Sequence, residues 1–74
     1  MLLKNKLNIN SKDRTRKTPL HFAILTGKSS FSKILIRSGS DINSITEEGD
    51  TPLHYALEYH RIPTVKLLIL KQAN

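Results

Sequence analysis

Apolar positions recur along this chain in short clusters at helical spacing. Leu20, Ala23 and Ile24 fall at i, i+3, i+4, which predicts a helix with one apolar face. Phe31, Ile34 and Leu35 predict a second helix with its own apolar side, and the pair returns as Leu53, Ala56 and Leu57, then Val65, Leu67 and Leu68. The punctuation agrees. Thr18 and Thr51 are good N-caps, each followed by a proline at the first helical position, where a missing N–H costs nothing. Gly27 and Gly39 stand where helices can end in a left-handed conformation. Ser29 is a candidate cap for the second helix, and Pro63 opens the fourth. Between the helix pairs, roughly Ser40 to Asp50 is polar, with Ile42 as the apolar exception and Gly49 as a turn glycine.

This repetition has a fixed length. TPLH stands at 18–21 and again at 51–54, a shift of 33 residues. At that shift 12 of the 41 comparable pairs are identical, where average composition gives roughly two or three. Several other pairs keep their character, among them Phe22/Tyr55, Ile24/Leu57, Lys28/Arg61 and Ile34/Leu67. The chain is two and a fraction copies of one unit.

The units resemble ankyrin repeats. The resemblance rests on the 33-residue period, the T-P-L-H-x-A opening seen as TPLHFA at 18–23 and TPLHYA at 51–56, and the paired leucines near the end of the second helix. It covers essentially the whole chain and implies an all-α repeat fold, an α-solenoid of helix–turn–helix units joined by long β-turn or hairpin loops. On that expectation residues 1–12 are the tail of a preceding repeat, 13–45 a full repeat and 46–74 a second, C-terminally incomplete one. The resemblance also gives structural roles to Thr18, Pro19, Leu20, His21 and Ala23, and to Thr51, Pro52, Leu53, His54 and Ala56. Each histidine is expected to bond its own threonine and the backbone of the neighbouring turn.

Departures from the pattern carry expectations of their own. Arg16 takes the place that Gly49 holds in the second unit, so the first turn should be distorted or less tightly formed, since a left-handed non-glycine costs ~1 kcal/mol. His60 stands where Gly27 does, which implies a similar penalty or a different inter-helix loop. Ser32 replaces Val65 and thins the core unless Phe31 swings in. Leu70 replaces Arg37 and makes LLIL at 67–70 apolar all round, which suggests cover from outside this sequence.

Composition narrows the chemistry. A chain of 74 residues forms one domain at most. With no cysteine it has neither a disulfide framework nor a thiolate metal site. Lys4 and Lys6 break the opening apolar stretch, so no secretory signal is expected, and no apolar run approaches a membrane span. An intracellular chain, cytoplasmic or nuclear and without membrane attachment, is the expectation. His21 and His54 should stack in a row about one helix diameter, ~10 Å, apart rather than converge on a metal. No G-x-S-x-G elbow or glycine-rich phosphate loop is present, and Glu47, Glu48 and Asp50 sit on a solvated turn tip. No catalytic, cofactor or metal site is expected, and the chain is read as a non-enzyme.

Charge is unevenly placed. The formal +6 divides into +5 over residues 1–27, +2 over 28–46 and −1 over 47–74. It is sharpest at two equivalent turn tips: Lys12-Asp13-Arg14-Thr15-Arg16-Lys17, and Glu47-Glu48-Gly49-Asp50. Stacked units would set a basic finger beside an acidic one. The tips could attract each other for ~0.5 kcal/mol per exposed pair, or stay free to read a partner.

Ankyrin-like proteins generally bind proteins along turn tips and first helices. By resemblance that surface is Arg14, Thr15, Lys17, Phe22, Leu25 and Thr26 in the first unit. In the second it is Glu47, Glu48, Asp50, Tyr55, Glu58 and Tyr59. The aromatic residues suit an interface hot spot, the plainer reading being that Phe22 and Tyr55 merely cover the helix pair. A non-catalytic protein-interaction module, scaffold or adaptor, leads. The alternative is a nucleic-acid or acidic-surface binder using Lys4, Lys6, Lys12, Arg14, Arg16 and Lys17, disfavoured by the acidic neighbour and by the absence of interleaved aromatics. A truncated fragment with no independent role is the third reading. Too few repeats and apolar ends, Leu2 and Leu3 at one and Leu67 to Leu70 at the other, predict self-association, folding coupled to a partner, or marginal stability.

Overall fold

Thr18 begins the folded unit by a reciprocal cap. Its Oγ1 accepts the His21 N–H at 3.3 Å, while its own N–H donates to His21 Nδ1 at 3.3 Å. Pro19 follows, and helix α1 runs Pro19–Leu25. Thr51 and His54 repeat the box at the start of α3, Pro52–Glu58. The second helices are α2, Ser29–Arg37, and α4, Ile62–Ala73. The computed structural model describes residues 9–73. Among them there is no strand, and the four helices form two stacked pairs, α1 against α2 and α3 against α4, with α1 on α3 and α2 on α4. This is the all-α repeat architecture that the period implies. Most of the expected N-terminal repeat tail lies outside the described residues, as do Lys4, Lys6, Leu2 and Leu3.

One core runs through both units. Leu20, Ala23 and Ile24 of α1 are buried with Leu35 and Ile36 of α2, Tyr55 and Ala56 of α3, and Leu68 of α4. Ile9 and Ile42 pack at its edge. The face of α2 differs from the expected one. Ser32, Leu35 and Ile36 point inward, while Phe31 and Ile34 are 40% and 54% exposed. Lys28, not Ser29, holds the N-cap position and makes no side-chain cap bond, so Ser29 is already inside the helix. Ser32 fits the core because its Oγ donates to the Lys28 carbonyl at 3.0 Å, and Phe31 does not swing in. In α4 the buried residues are Thr64 and Leu68, with Val65 and Leu67 half-buried. That helix starts at Ile62, one residue before Pro63. Leu70 is 65% exposed, which counts against the expectation that it is covered.

The first turn corrects another expectation. Arg16 takes φ 68°, yet the turn closes as tightly as the one built on Gly49 at φ 86°. Arg16 N–H meets the Asp13 carbonyl at 2.9 Å and Asp13 N–H meets the Lys17 carbonyl at 3.0 Å. The matching bonds in the second turn, Gly49 to Thr46 and Thr46 to Asp50, are 2.8 and 3.0 Å. Asp13 supplies the compensation: one carboxylate oxygen accepts from Thr15 N–H, Thr15 Oγ1 and Lys17 N–H. These bonds, the Lys17 amide first, hold its carboxyl below the usual 3.8 against the opposing effect of desolvation. His60 likewise adopts φ 58° where Gly27 has 78°, so the inter-helix loop is kept and the penalty taken.

Left-handed backbone at a side-chain-bearing residue costs roughly 1–2 kcal/mol, partly returned as unfolded-state entropy when glycine replaces it. Arg16→Gly and His60→Gly should therefore each stabilise the chain by about 0.5–1 kcal/mol in urea unfolding monitored by circular dichroism. A loss of stability in both would mean that side-chain contacts, not backbone strain, dominate at these positions.

Candidate interaction surface

Among the described residues four sets of hydrogen bonds join the two units: three from His21, Glu47 and Arg61 to backbone of the neighbouring unit, and one at 3.4 Å from Gln72 Nε2 to Asn43 Oδ1. Deepest is His21, fully buried, whose Nε2 lies 2.9 Å from the Asp50 carbonyl. Because Nδ1 accepts the Thr18 N–H, the ring is the neutral tautomer protonated on Nε2, and it donates to Asp50. Burial pushes its pKa below 6.5, with the Asp50 carbonyl opposing and the nearby Lys17 cation assisting. Above it, Glu47 N–H donates to the Thr15 carbonyl at 2.9 Å and ties the turn tips together. At the far end Arg61 donates through Nε to the Ile24 carbonyl at 2.9 Å and through Nη2 to Leu25 at 3.1 Å. It satisfies the Leu25 carbonyl at the end of α1 and adds a second donor to that of Ile24, which already accepts the Gly27 N–H.

Tip pairing puts opposite charges side by side. Arg14 and Thr15 are exposed and Lys17 half-buried on one finger; Glu47 and Glu48 are exposed and Asp50 half-buried on the other. A notch of about 80 Å³ separates them, lined by Thr15, Lys17, Thr46, Glu47 and Glu48. Yet no ion pair within 4 Å links the fingers among the described residues; Lys17 Nζ turns to Thr15 Oγ1 at 3.0 Å. The attraction expected between tips does not become a salt bridge. Their charges face solvent.

The first helices contribute less evenly. Phe22 is 43% and Tyr59 38% exposed, Thr26 and Glu58 are exposed, and Leu25 is half-buried against the core. Tyr55 is the exception. Its ring is 6% exposed and meets His21 edge-on at 5.0 Å and Tyr59 at 5.8 Å. Tyr55 therefore sits in the seam between units instead of on the open surface, and burial raises its phenol above the ordinary 10.0. Of the predicted surface residues it is the one that the structure moves inward.

Three functional positions, Asp13, Thr46 and Arg61, are not singled out by the sequence pattern. Asp13 and Thr46 are equivalent and do the same job, since Thr46 Oγ1 accepts from Glu48 and Asp50 N–H groups at 3.3 and 3.2 Å. Their signal was available: short polar side chains opening a turn bond the backbone two and four residues on. Arg61 gave none, because its partners lie 36 and 37 residues away. Among the described residues no group of three or more His, Cys, Asp or Glu could hold a metal ion. No helix there is long and apolar enough to cross a membrane.

His54 makes the local bonds of His21 but is exposed, and its Nε2 has no partner among the described residues. His21→Ala should cost about 2–4 kcal/mol, through a buried cavity and the loss of both ring hydrogen bonds, the Asp50 carbonyl keeping only its bond from Thr46 N–H. His54→Ala should cost only about 1 kcal/mol, the worth of a cap. Equal losses in parallel urea melts would contradict this ranking. Acid should act through the same ring. A folded-state pKa below 6.5 means that the unfolded chain takes up the proton first, so stability holds above pH 6.5 and falls as pH drops below it. Urea midpoints unchanged from pH 7.5 to 5 would rule that out.

A family model described as "Ankyrin repeats (3 copies)" matches residues 1–74. The chain is 35% identical over all of its 74 residues to "Putative ankyrin repeat protein FPV244" of Fowlpox virus (strain NVSL), of which it spans 11%. Ankyrin repeats are generally non-catalytic protein–protein interaction modules. The capping boxes at Thr18 and Thr51, the paired helices and the full-length match agree: this chain belongs to the ankyrin repeat family.

Proposed function

We propose that this chain is a non-catalytic interaction module that reads a protein partner with its two turn tips and the adjoining first helices. One observation carries the reading: the basic and acidic fingers are locked together through backbone, Glu47 N–H to the Thr15 carbonyl, while their side chains form no ion pair among the described residues. Charge held in fixed register and left unneutralised can orient a partner, at little entropic cost, because the backbone is already placed. Arg14 and Lys17, with the neutral Thr15 between them, offer one sign; Glu47, Glu48 and Asp50 offer the other. Phe22, Leu25, Thr26, Glu58 and Tyr59 border them, and Tyr55 supports Tyr59 from beneath at 5.8 Å. Arg61, 5.9 Å from the Tyr59 ring centroid, braces that ring from the other side.

A bipolar tip suits a partner with patches of both signs and repels half of a uniform polyanion. The alternative, nucleic acid held by the basic finger, predicts steep salt dependence. Using the chain as bait, with bound proteins identified by mass spectrometry, Arg14→Glu/Lys17→Glu and Glu47→Lys/Glu48→Lys should each lose the same partner by tenfold or more while remaining folded. Retention of the partner by both double variants would refute the tip reading. Tight binding of a fluorescent single-stranded oligonucleotide at 50 mM salt that disappears by 200 mM would favour the alternative.

A further inference from the structure

Each helix pair turns through a left-handed residue, Gly27 at φ 78° in the first unit and His60 at φ 58° in the second. His60 shows that this backbone accepts a side chain, so conformation alone does not reserve position 27 for glycine. Space does. A Cβ on Gly27 would lie 3.0 Å from Arg61 Nη2 and 3.1 Å from its Cζ, whereas Gly39 and Gly49 have nothing within 4 Å of theirs. The guanidinium rests on that bare backbone and donates to the Ile24 and Leu25 carbonyls at 2.9 and 3.1 Å. From there its carbon stands over the Tyr59 ring, 5.9 Å from the centroid.

In the first unit the equivalents of Tyr59 and Arg61 are Thr26 and Lys28, so ring and guanidinium occur together in the second unit and neither occurs at these places in the first. A guanidinium suits the double task. It bonds carbonyls in its plane and attracts a ring through its face, which a lysine ammonium has no plane to do. Tyr59 is held by Arg61 over its ring and by Tyr55, whose ring lies 5.8 Å away at 73°. It is nonetheless 38% exposed. An aromatic group is therefore fixed in place on open surface.

We infer that Arg61 is a positioning residue for recognition: anchored on the end of α1 at the site that Gly27 keeps open, it fixes the Tyr59 ring in the pose from which a protein partner is read. The inference rests on the interaction surface proposed above, to which Tyr59 belongs. A ring ordered in advance loses no further freedom on binding, so the bracing is worth about three- to tenfold in affinity. Arg61 acts through Tyr59 and does not itself touch the partner. The pose is a joint product of both units, since the carbonyls belong to the first and the ring and guanidinium to the second.

Two readouts separate the steps. In the free full chain carrying isotope-labelled tyrosine, Arg61→Met should move the Tyr59 ring resonances while the amide spectrum stays that of a folded chain. Gly27→Ala should move them too; Gly39→Ala, also left-handed but in open space, should not. For recognition, the probe is the protein retained by the wild-type chain as bait. Tyr59→Ala should weaken its binding about tenfold or more, Arg61→Met about three- to tenfold, and Arg61→Lys by less than Arg61→Met. Added to Tyr59→Ala, Arg61→Met should cost nothing further, because its effect passes through the ring. Additive losses would overturn the inference, as Arg61 would then act on the partner directly or on the fold at large. Tyr59 ring resonances unmoved by Arg61→Met would overturn it equally. If the charge-reversed tips lose the partner and Tyr59→Ala keeps it, the inference falls and the tip reading stands; the reverse pattern sinks the tip reading alone. A wild-type bait that retains no protein would overturn both.

Discussion

The fold depends on a buried imidazole that must bond in two directions at once. His21 closes the cap of its own helix through Nδ1 and reaches the next unit's turn through Nε2. Either bond alone would leave a buried polar nitrogen unpaired, a cost comparable to a substantial part of a small domain's stability. The ring must therefore be neutral, the Asp50 carbonyl must stand where it does, and the second turn must close so as to present it. Thr46 closes that turn, accepting from Asp50 N–H while its own N–H donates to the Asp50 carbonyl. Local capping and long-range assembly become one constraint, which is how a unit of thin helices gains a defined neighbour.

That constraint explains why some features were legible in the sequence and others were not. Thr18, Pro19 and His21 announce the helix start because every interaction they make at that end is local, and the period of 33 exposes their copies. Their burial or exposure is another matter. His21 and His54 are the same letter at the same phase, yet one is fully buried and the other exposed. What differs is the partner: the Asp50 carbonyl meets His21 Nε2, and no group meets His54 Nε2 among the described residues. The same applies to Tyr55 and Phe22: identical places in the unit, but Tyr55 meets His21 edge-on and is buried, whereas Phe22 is exposed.

The face of α2 was misjudged for a different reason. Apolar spacing alone favours Phe31, Ile34 and Leu35, whereas the helix buries Ser32, Leu35 and Ile36. A serine can occupy a core position when its hydroxyl is returned to the backbone of the preceding turn, here Lys28, and periodicity has no term for that. Arg16 misled in the opposite direction. Its left-handed φ is real, but the penalty does not loosen the turn, because Asp13 accepts three hydrogen bonds where Thr46, at the same place in the glycine-bearing turn, accepts two. Strain in one residue and its compensation three positions earlier belong to the same loop.

Opposite charge at the two tips then acquires a physical meaning. Had the fingers been joined by side-chain salt bridges, their charges would be neutralised and each bridge would add little stability in solvent. Joined by backbone instead, the tips are fixed while Arg14, Glu47 and Glu48 stay available. Assembly is delegated to a histidine, a carbonyl and an amide, turn closure to Asp13 and Thr46, and the side chains of Arg14, Glu47 and Glu48 are released from structural duty. They can vary from unit to unit without disturbing the stack. A basic finger and an acidic finger can then stand side by side in one stack, because the contacts that hold the two units together need neither charge pattern.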